Sequence, residues 1–355
     1  MTNNEMARVL LAHHAKHPLM LPEDFVKLIY QNEFGAAHFI SSEAESLERL
    51  RAEWNAASAE ASSTVCEDLG NGLCRMRVSG VKGLLSPETV NRFFLLTANQ
   101  NRGSVSGFEE KLAVLRQLCA NRELPFAVTE LDEYVSAYRA QGYLPVSHSA
   151  RYRDNYAPSY RIVRKVFCDY LALFARIDAL LTNGRRITAA IDGHCAGGKS
   201  TLATLLAEVY DCNTFHMDDF FLPEAQKTGA RLAQAGGNVD YERFAAEVLL
   251  PLSTAGAFSF RPFDCLEQRL EEPVPVLPKH LNIIEGAYSL HPALRNFYDL
   301  KVFLAIDPLL QNQRLLRRNG PRMHERFVTE WIPLENRYFA ELDIVAQCDL
   351  VFHAD

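Results

Sequence analysis

The chain has 355 residues, enough for two domains with separate cores, and its 48% hydrophobic and 23% charged content is ordinary for a globular protein. A formal net charge of −7 argues against broad electrostatic capture of nucleic acid or of an anionic membrane. No run reaches the roughly 18 apolar residues that a membrane-spanning helix needs, and the first residues show no basic start leading into a long apolar stretch. The eight cysteines include no C-x-x-C pair, so free thiols in a cytoplasmic protein are expected.

Residues 1–183 read as a mainly helical domain. His13, His14 and His17 share one helical stretch, with no acid or thiol spaced to complete a metal site, and are expected at the surface. Pro22, Glu23 and Asp24 suit a helix start, and Phe25, Leu28, Ile29 and Phe34 give that helix one apolar side. ESLERLRAEW continues the helical character, followed by a small-residue loop at 58–64 and one short strand in GLCRMRVSG. Ser86 followed by Glu88 starts a further helix, and GFEEKLAVLRQLCA and TELDEYVSAYRAQG are amphipathic. In SHSARYRDNYAPSYRIVRK, basic residues alternate with Tyr152, Tyr156 and Tyr160. Such a pattern can stack on bases, but a linker helix with its tyrosines against a neighbouring domain is the favoured reading. A last helix, YRIVRKVFCDYLALFARIDALL, runs into the break at Thr182–Gly184.

Residues 184–355 alternate strands with helices, with strands expected in RITAAID, NTFHMD, FSFRPFD, LNIIEG, LKVFLAID and DLVFHA. That grammar predicts an α/β domain whose parallel sheet is covered by helices on both faces, with ligands at the carboxyl ends of the strands. Gly193, Gly198, Lys199 and Ser200 fit G-x-x-x-x-G-K-[ST] between an apolar strand and a helix, the context in which that loop grips phosphates. Residues Gly193, His194, Cys195, Ala196, Gly197, Gly198, Lys199, Ser200 and Thr201 are therefore the expected nucleotide-binding segment, for ATP or GTP. Lys199 would reach the terminal phosphates, with Mg²⁺ held by Ser200 and by Glu285, the acid that ends LNIIE.

Phosphoryl transfer also needs a group that takes the attacking hydroxyl's proton. Asp218, at the end of the second strand, is the candidate base, and Asp219 should point elsewhere if the strand stays regular. Arg314, Arg317, Arg318 and Arg322 lie on a helix–loop–helix after Asp307 and could fold over the triphosphate, Arg317 and Arg318 acting at the transferring group.

The segments GHCAGGKST, HMDDFFLP, GGNVDYERF, FRPFDC, NIIEGAYSLHPALRNFYDLKVFLAID and RLLRRNGPR occur in the order that resembles the uridine kinase and phosphoribulokinase branch of the phosphate-loop kinases. The resemblance covers roughly residues 185–345 and implies that Asp218 is the base, that Glu285 binds metal, and that Asp240 contacts the acceptor's hydroxyls. Tyr241, Arg261 and Phe263 join Asp218, Asp219 and Asp240 as expected acceptor-site residues. FDCLEQRLEEPVPV lacks the histidine that uridine kinases carry after the aromatic–Asp pair. A nucleoside such as uridine leads as the small-molecule acceptor, with pantothenate and sugar phosphates open, and a nucleotide-dependent switch or ATPase is the rival class. Oligomeric state is not legible in this sequence.

Overall fold

The computed structural model describes residues 3–36, 42–58, 65–100, 103–254 and 256–354. The chain divides into two compact units, Met1–Asp178 and Ala179–Asp355. No described helix is long and apolar enough to cross a membrane.

The first unit is mainly helical, with helices at Asn3–Lys16, Pro22–Phe34, Glu43–Ala56, Pro87–Gln100, Val105–Ala120 and Val128–Ala140. The Pro22–Phe34 helix starts where Asp24 Oδ2 accepts the Leu21 N–H at 3.0 Å, and Pro22 supplies a first-turn residue with no N–H to satisfy. Its apolar side, Phe25, Leu28 and Ile29, is fully buried and joins Phe108, Leu115 and Leu131 in one core. Ser86 Oγ accepts the Thr89 N–H at 3.1 Å, the cap expected from the sequence.

Three strands, β1 (Cys66–Gly70), β2 (Leu73–Arg77) and β3 (Tyr160–Arg164), form an antiparallel sheet where one strand was expected. β3 falls inside the segment read as a helix. Its residues pair from Tyr160 with Arg77 to Arg164 with Leu73, so a long-range partner overrides a locally helical pattern. The favoured linker-helix reading of the tyrosine-rich segment is corrected with it. Tyr152 is buried in the core of this unit, and the Tyr160 hydroxyl accepts from Gln31 Nε2 at 3.0 Å and donates to His148 Nε2 at 2.7 Å.

Two further expectations fail here. His13 and His17 are not surface residues but are buried, because β1 brings Glu67 up beside them, a proximity that chain spacing conceals. The cysteines are not all free: Cys66 and Cys168 form a disulfide across 102 positions, since β1 and the short helix Lys165–Asp169 both flank β2. The small-residue loop expected at 58–64 lies, beyond Ser58, outside the described residues.

The second unit contains β4 (Ile187–Gly193), β5 (Cys212–His216), β6 (Phe258–Phe260), β7 (Phe263–Asp264), β8 (Arg269–Leu270), β9 (Val274–Val276), β10 (Leu281–Glu285), β11 (Leu300–Ile306) and β12 (Leu350–Ala354). Five of them build a parallel sheet in the order β12-β11-β4-β10-β5, with helices packed around it. Every residue of β10 is buried, as is nearly all of β4, the continuous apolar run that a covered parallel sheet demands. This is an α/β architecture, and it follows a mainly helical first unit in the chain. FSFRPFD does not join that sheet as expected. Pro262 breaks it into β6 and β7, which pair antiparallel with β9 and β8 as separate ribbons.

Candidate functional site

The phosphate-loop candidate starts where β4 runs out, in the middle of the sheet. Gly193 has φ 141°, and a Cβ there would lie 2.2 Å from Leu304 O of β11, so only glycine lets the chain turn this close to the neighbouring strand. Gly198, at φ 97°, caps the helix Lys199–Val209. Its first hydrogen bond runs from Leu202 N–H to Gly198 O at 2.9 Å, so the amides of Gly198, Lys199, Ser200 and Thr201 are those a helix start leaves for a ligand. Lys199 Nζ bends back over the loop and donates to Gly193 O at 2.7 Å and His194 O at 3.0 Å.

Register carries the acids to this loop. Glu285, the last residue of β10, lies between Ile191 of β4 and His216 of β5. Its buried Oε1 accepts from the Ser200 hydroxyl at 3.0 Å and from His216 Nδ1 at 2.6 Å. That hydrogen bond, aided by the carboxylate's charge, raises the His216 pKa above its ordinary value of 6.5.

β5 ends at His216, so Asp218 and Asp219 occupy the 3-10 turn Met217–Phe220 and do not alternate along a strand as expected. Asp218 reaches solvent but is crowded by protein on its other sides. That crowding pushes its pKa up, against the pull of Lys199 and with a push from Glu285; His216 and Arg318 also lower it. Burial likewise raises the Asp219 pKa.

The remaining candidates fall into two groups. Arg314 Nη1 donates to Ala196 O of the loop at 3.3 Å, whereas Arg317, Arg318 and Arg322 are exposed, with Arg318 near enough to act on the charge of Asp218. These arginines ride on Pro308–Arg326, which breaks at Gly320, φ 73°, just before Pro321. Asp240 is buried, caps its own helix by accepting the Arg243 N–H at 3.0 Å, and pairs with Arg243 Nε at 3.6 Å. Its backbone N–H donates to Phe220 O at 2.7 Å, and Arg243 Nη2 donates to Asp219 O at 2.9 Å, so the segment is stitched to the Asp218–Asp219 turn. Tyr241 stacks on His291 at 4.0 Å. Arg261 spends its guanidinium on Glu271 O and Leu270 O, and Phe263 is buried.

Sequence reasoning missed the groups that hold the loop in shape. Asp192, wholly buried, accepts from Gly193 N at 2.7 Å, Tyr288 N at 3.2 Å, Leu290 N at 2.9 Å and the Tyr338 hydroxyl at 2.8 Å. Glu335 Oε2 accepts the Cys195 N–H at 2.9 Å, and Gln311 Nε2 donates to Cys195 O at 3.0 Å. Burial raises the Glu335 pKa and pushes the Cys195 thiol up to about 12, which makes that cysteine an inert filler. Asp192 was legible as the acid ahead of the first loop glycine; Glu335 and Gln311 come from distant helices and give no local signal.

No protein-family model matches the chain, and no curated protein matches it. Among solved structures it is similar to one described as a possible uridine kinase from Bacillus stearothermophilus, at 22% identity and TM-score 0.37 over 51% of this chain and 98% of that one. A shikimate kinase from Bacteroides thetaiotaomicron is similar at 15% identity and TM-score 0.24, over 47% of this chain and 86% of the other. Likeness at this level says nothing of activity.

Proposed function

We propose that residues 184–355 form an ATP- or GTP-dependent phosphotransferase that moves a γ-phosphate onto the alcohol of a small molecule, and that residues 1–183 form a separate module. The observation that carries this reading is the convergence on one loop of Lys199, the Ser200–Glu285 pair and Asp218, whose pKa responds to both Lys199 and Glu285. The free amides of Gly198–Thr201 and the Lys199 ammonium would hold the β- and γ-phosphates. Ser200 and Glu285 present oxygens 3.0 Å apart, a hard donor pair suited to Mg²⁺, which would supply charge neutralisation at the phosphates when bound.

Asp218 then takes the proton of the attacking hydroxyl. Crowding by protein raises its pKa, which makes it a better base than an ordinary aspartate. Arg314 touches the loop, and the exposed Arg317, Arg318 and Arg322 are the candidates for the transferring group. Asp219, Asp240, Tyr241, Arg261 and Phe263 are proposed for the acceptor side, a reading supported by the hydrogen bond from Asp240 N to Phe220 O of the Asp218–Asp219 turn. The acceptor proposed on the ordered motifs is a nucleoside such as uridine.

The test is ATP and GTP consumption by the full chain with and without nucleosides, pantothenate and sugar phosphates. Strong stimulation by one compound is expected. Asp218→Asn should cut kcat about 10²–10⁴-fold while ATP affinity stays near wild type. A basal rate that no acceptor changes would favour the switch or ATPase reading, and full turnover by Asp218→Asn would remove the base.

A further inference from the structure

The first unit holds three side chains that the phosphotransferase reading does not use: His13, His17 and Glu67. All three are buried, with 3%, 3% and 4% exposure. Each can turn one ligand atom toward the others, and those atoms lie within 4.8 Å of one another.

The hydrogen bonds fix which ring nitrogens are bare. His13 Nε2 lies 2.8 Å from Asp68 O, and a carbonyl only accepts, so Nε2 carries the proton and Nδ1 is a lone pair. That Nδ1 is buried and has no hydrogen-bond partner. His17 Nδ1 lies 3.3 Å from His13 O and by the same reasoning carries its proton, which leaves the Nε2 lone pair 4.0 Å from Glu67 Oε1. One nitrogen of each ring and a carboxylate oxygen thus meet within 4.8 Å, out of water.

A cation would bridge them. We propose that His13, His17 and Glu67 form a binding site for a divalent transition-metal ion of the zinc class, joining the N-terminal helix to β1. The ligand set is two nitrogens and one oxygen, the His₂Glu combination that zinc accepts and that the all-oxygen preferences of Mg²⁺ and Ca²⁺ disfavour. His13 and His17 stand four residues apart, with the His17 N–H still hydrogen-bonded to His13 O at 2.9 Å, so a single helical turn presents both rings. Each ring donates its other N–H to a backbone carbonyl, which is how metal-bound histidines are oriented.

Two features oppose the ion and set its limits. Arg77 Nη2 already donates to Glu67 Oε1 at 3.2 Å, and the buried Arg75 adds positive charge close by, so the ion shares Glu67 with arginines. Tetrahedral zinc with bonds of about 2.0–2.1 Å spaces its ligands about 3.3 Å apart. The His17–Glu67 separation of 4.0 Å therefore closes by about 0.7 Å as the ion enters.

The experiment uses the full chain, purified without chelator and loaded with zinc or cobalt(II) before exhaustive desalting. Metal analysis should find one zinc per chain, and cobalt should give visible bands of a nitrogen–oxygen site without thiolate charge transfer. His13→Asn and Glu67→Gln should each lower zinc affinity at least about tenfold. Circular dichroism on both variants checks the fold, and if neither folds, EDTA treatment of the wild-type protein should lower its Tm, with recovery on adding zinc. Failure to retain metal overturns the proposal and leaves a buried polar cluster bridged by water. Thiolate bands, undiminished affinity in the folded variants, or a Tm indifferent to EDTA and zinc overturn it equally.

Discussion

Removing the Asp192 carboxylate tests how the phosphate loop is held. Its two oxygens accept from three backbone amides and one phenol, each at 2.7–3.2 Å, and the side chain is 0% exposed. The three amides can only donate, so both oxygens serve as acceptors, while burial raises the pKa of this acid. Asp192→Ala strands the N–H groups of Gly193, Tyr288 and Leu290 and the Tyr338 hydroxyl. Each stranded donor costs about 1–3 kcal/mol. The full sum is not reached, because the buried charge is itself costly and water can enter the space. A loss of about 3–5 kcal/mol, the range for breaking a buried charged network, is expected. Asp192→Asn keeps one acceptor oxygen and should lose less. The assay is urea unfolding followed by circular dichroism, paired with hydrogen exchange at the three amides, which should lose protection. A loss below about 1 kcal/mol in the alanine variant, with protection intact, would refute the reasoning.

Gly193→Ala should abolish ATP binding and destabilise the second unit by more than about 2 kcal/mol, since φ 141° and a 2.2 Å clash act together; calorimetric titration and thermal unfolding read both. The raised pKa of His216 gives its bond to Glu285 a defined pH window. The contribution is fully present below 6.5 and is lost as pH rises through the higher folded-state value, so the stability gap between wild type and His216→Gln should narrow on the alkaline side. Thiol titration of the denatured, unreduced chain should find six reactive cysteines, and all eight after reduction; eight at the outset would remove the Cys66–Cys168 bond.

The sheet of the second unit was largely readable because parallel strands, covered on both sides, write themselves as apolar runs such as LNIIE and ITAAI. The loop was readable for a different reason, because glycines at fixed spacing mark backbone that no other residue can adopt. What escaped depended on partners far along the chain. β3 becomes a strand only because β2 lies beside it, and Glu67 reaches His13 and His17 only through the packing of β1. Asp218 was expected to end a strand, but Gly286 next door has φ 138°, and its missing Cβ would meet Met217 at 2.7 Å. At that tight crossing the chain leaves β5 and winds into a 3-10 turn.

Cys195 is clasped twice, through its carbonyl by Gln311 and through its amide by Glu335. Between those two anchors the polypeptide makes an arch that carries Arg314, Arg317, Arg318 and Arg322, with its one non-helical joint at Gly320. While both clasps hold, an approach of the arginines to a bound nucleotide would have to bend the arch, and Gly320 is the joint at which its helix is already broken.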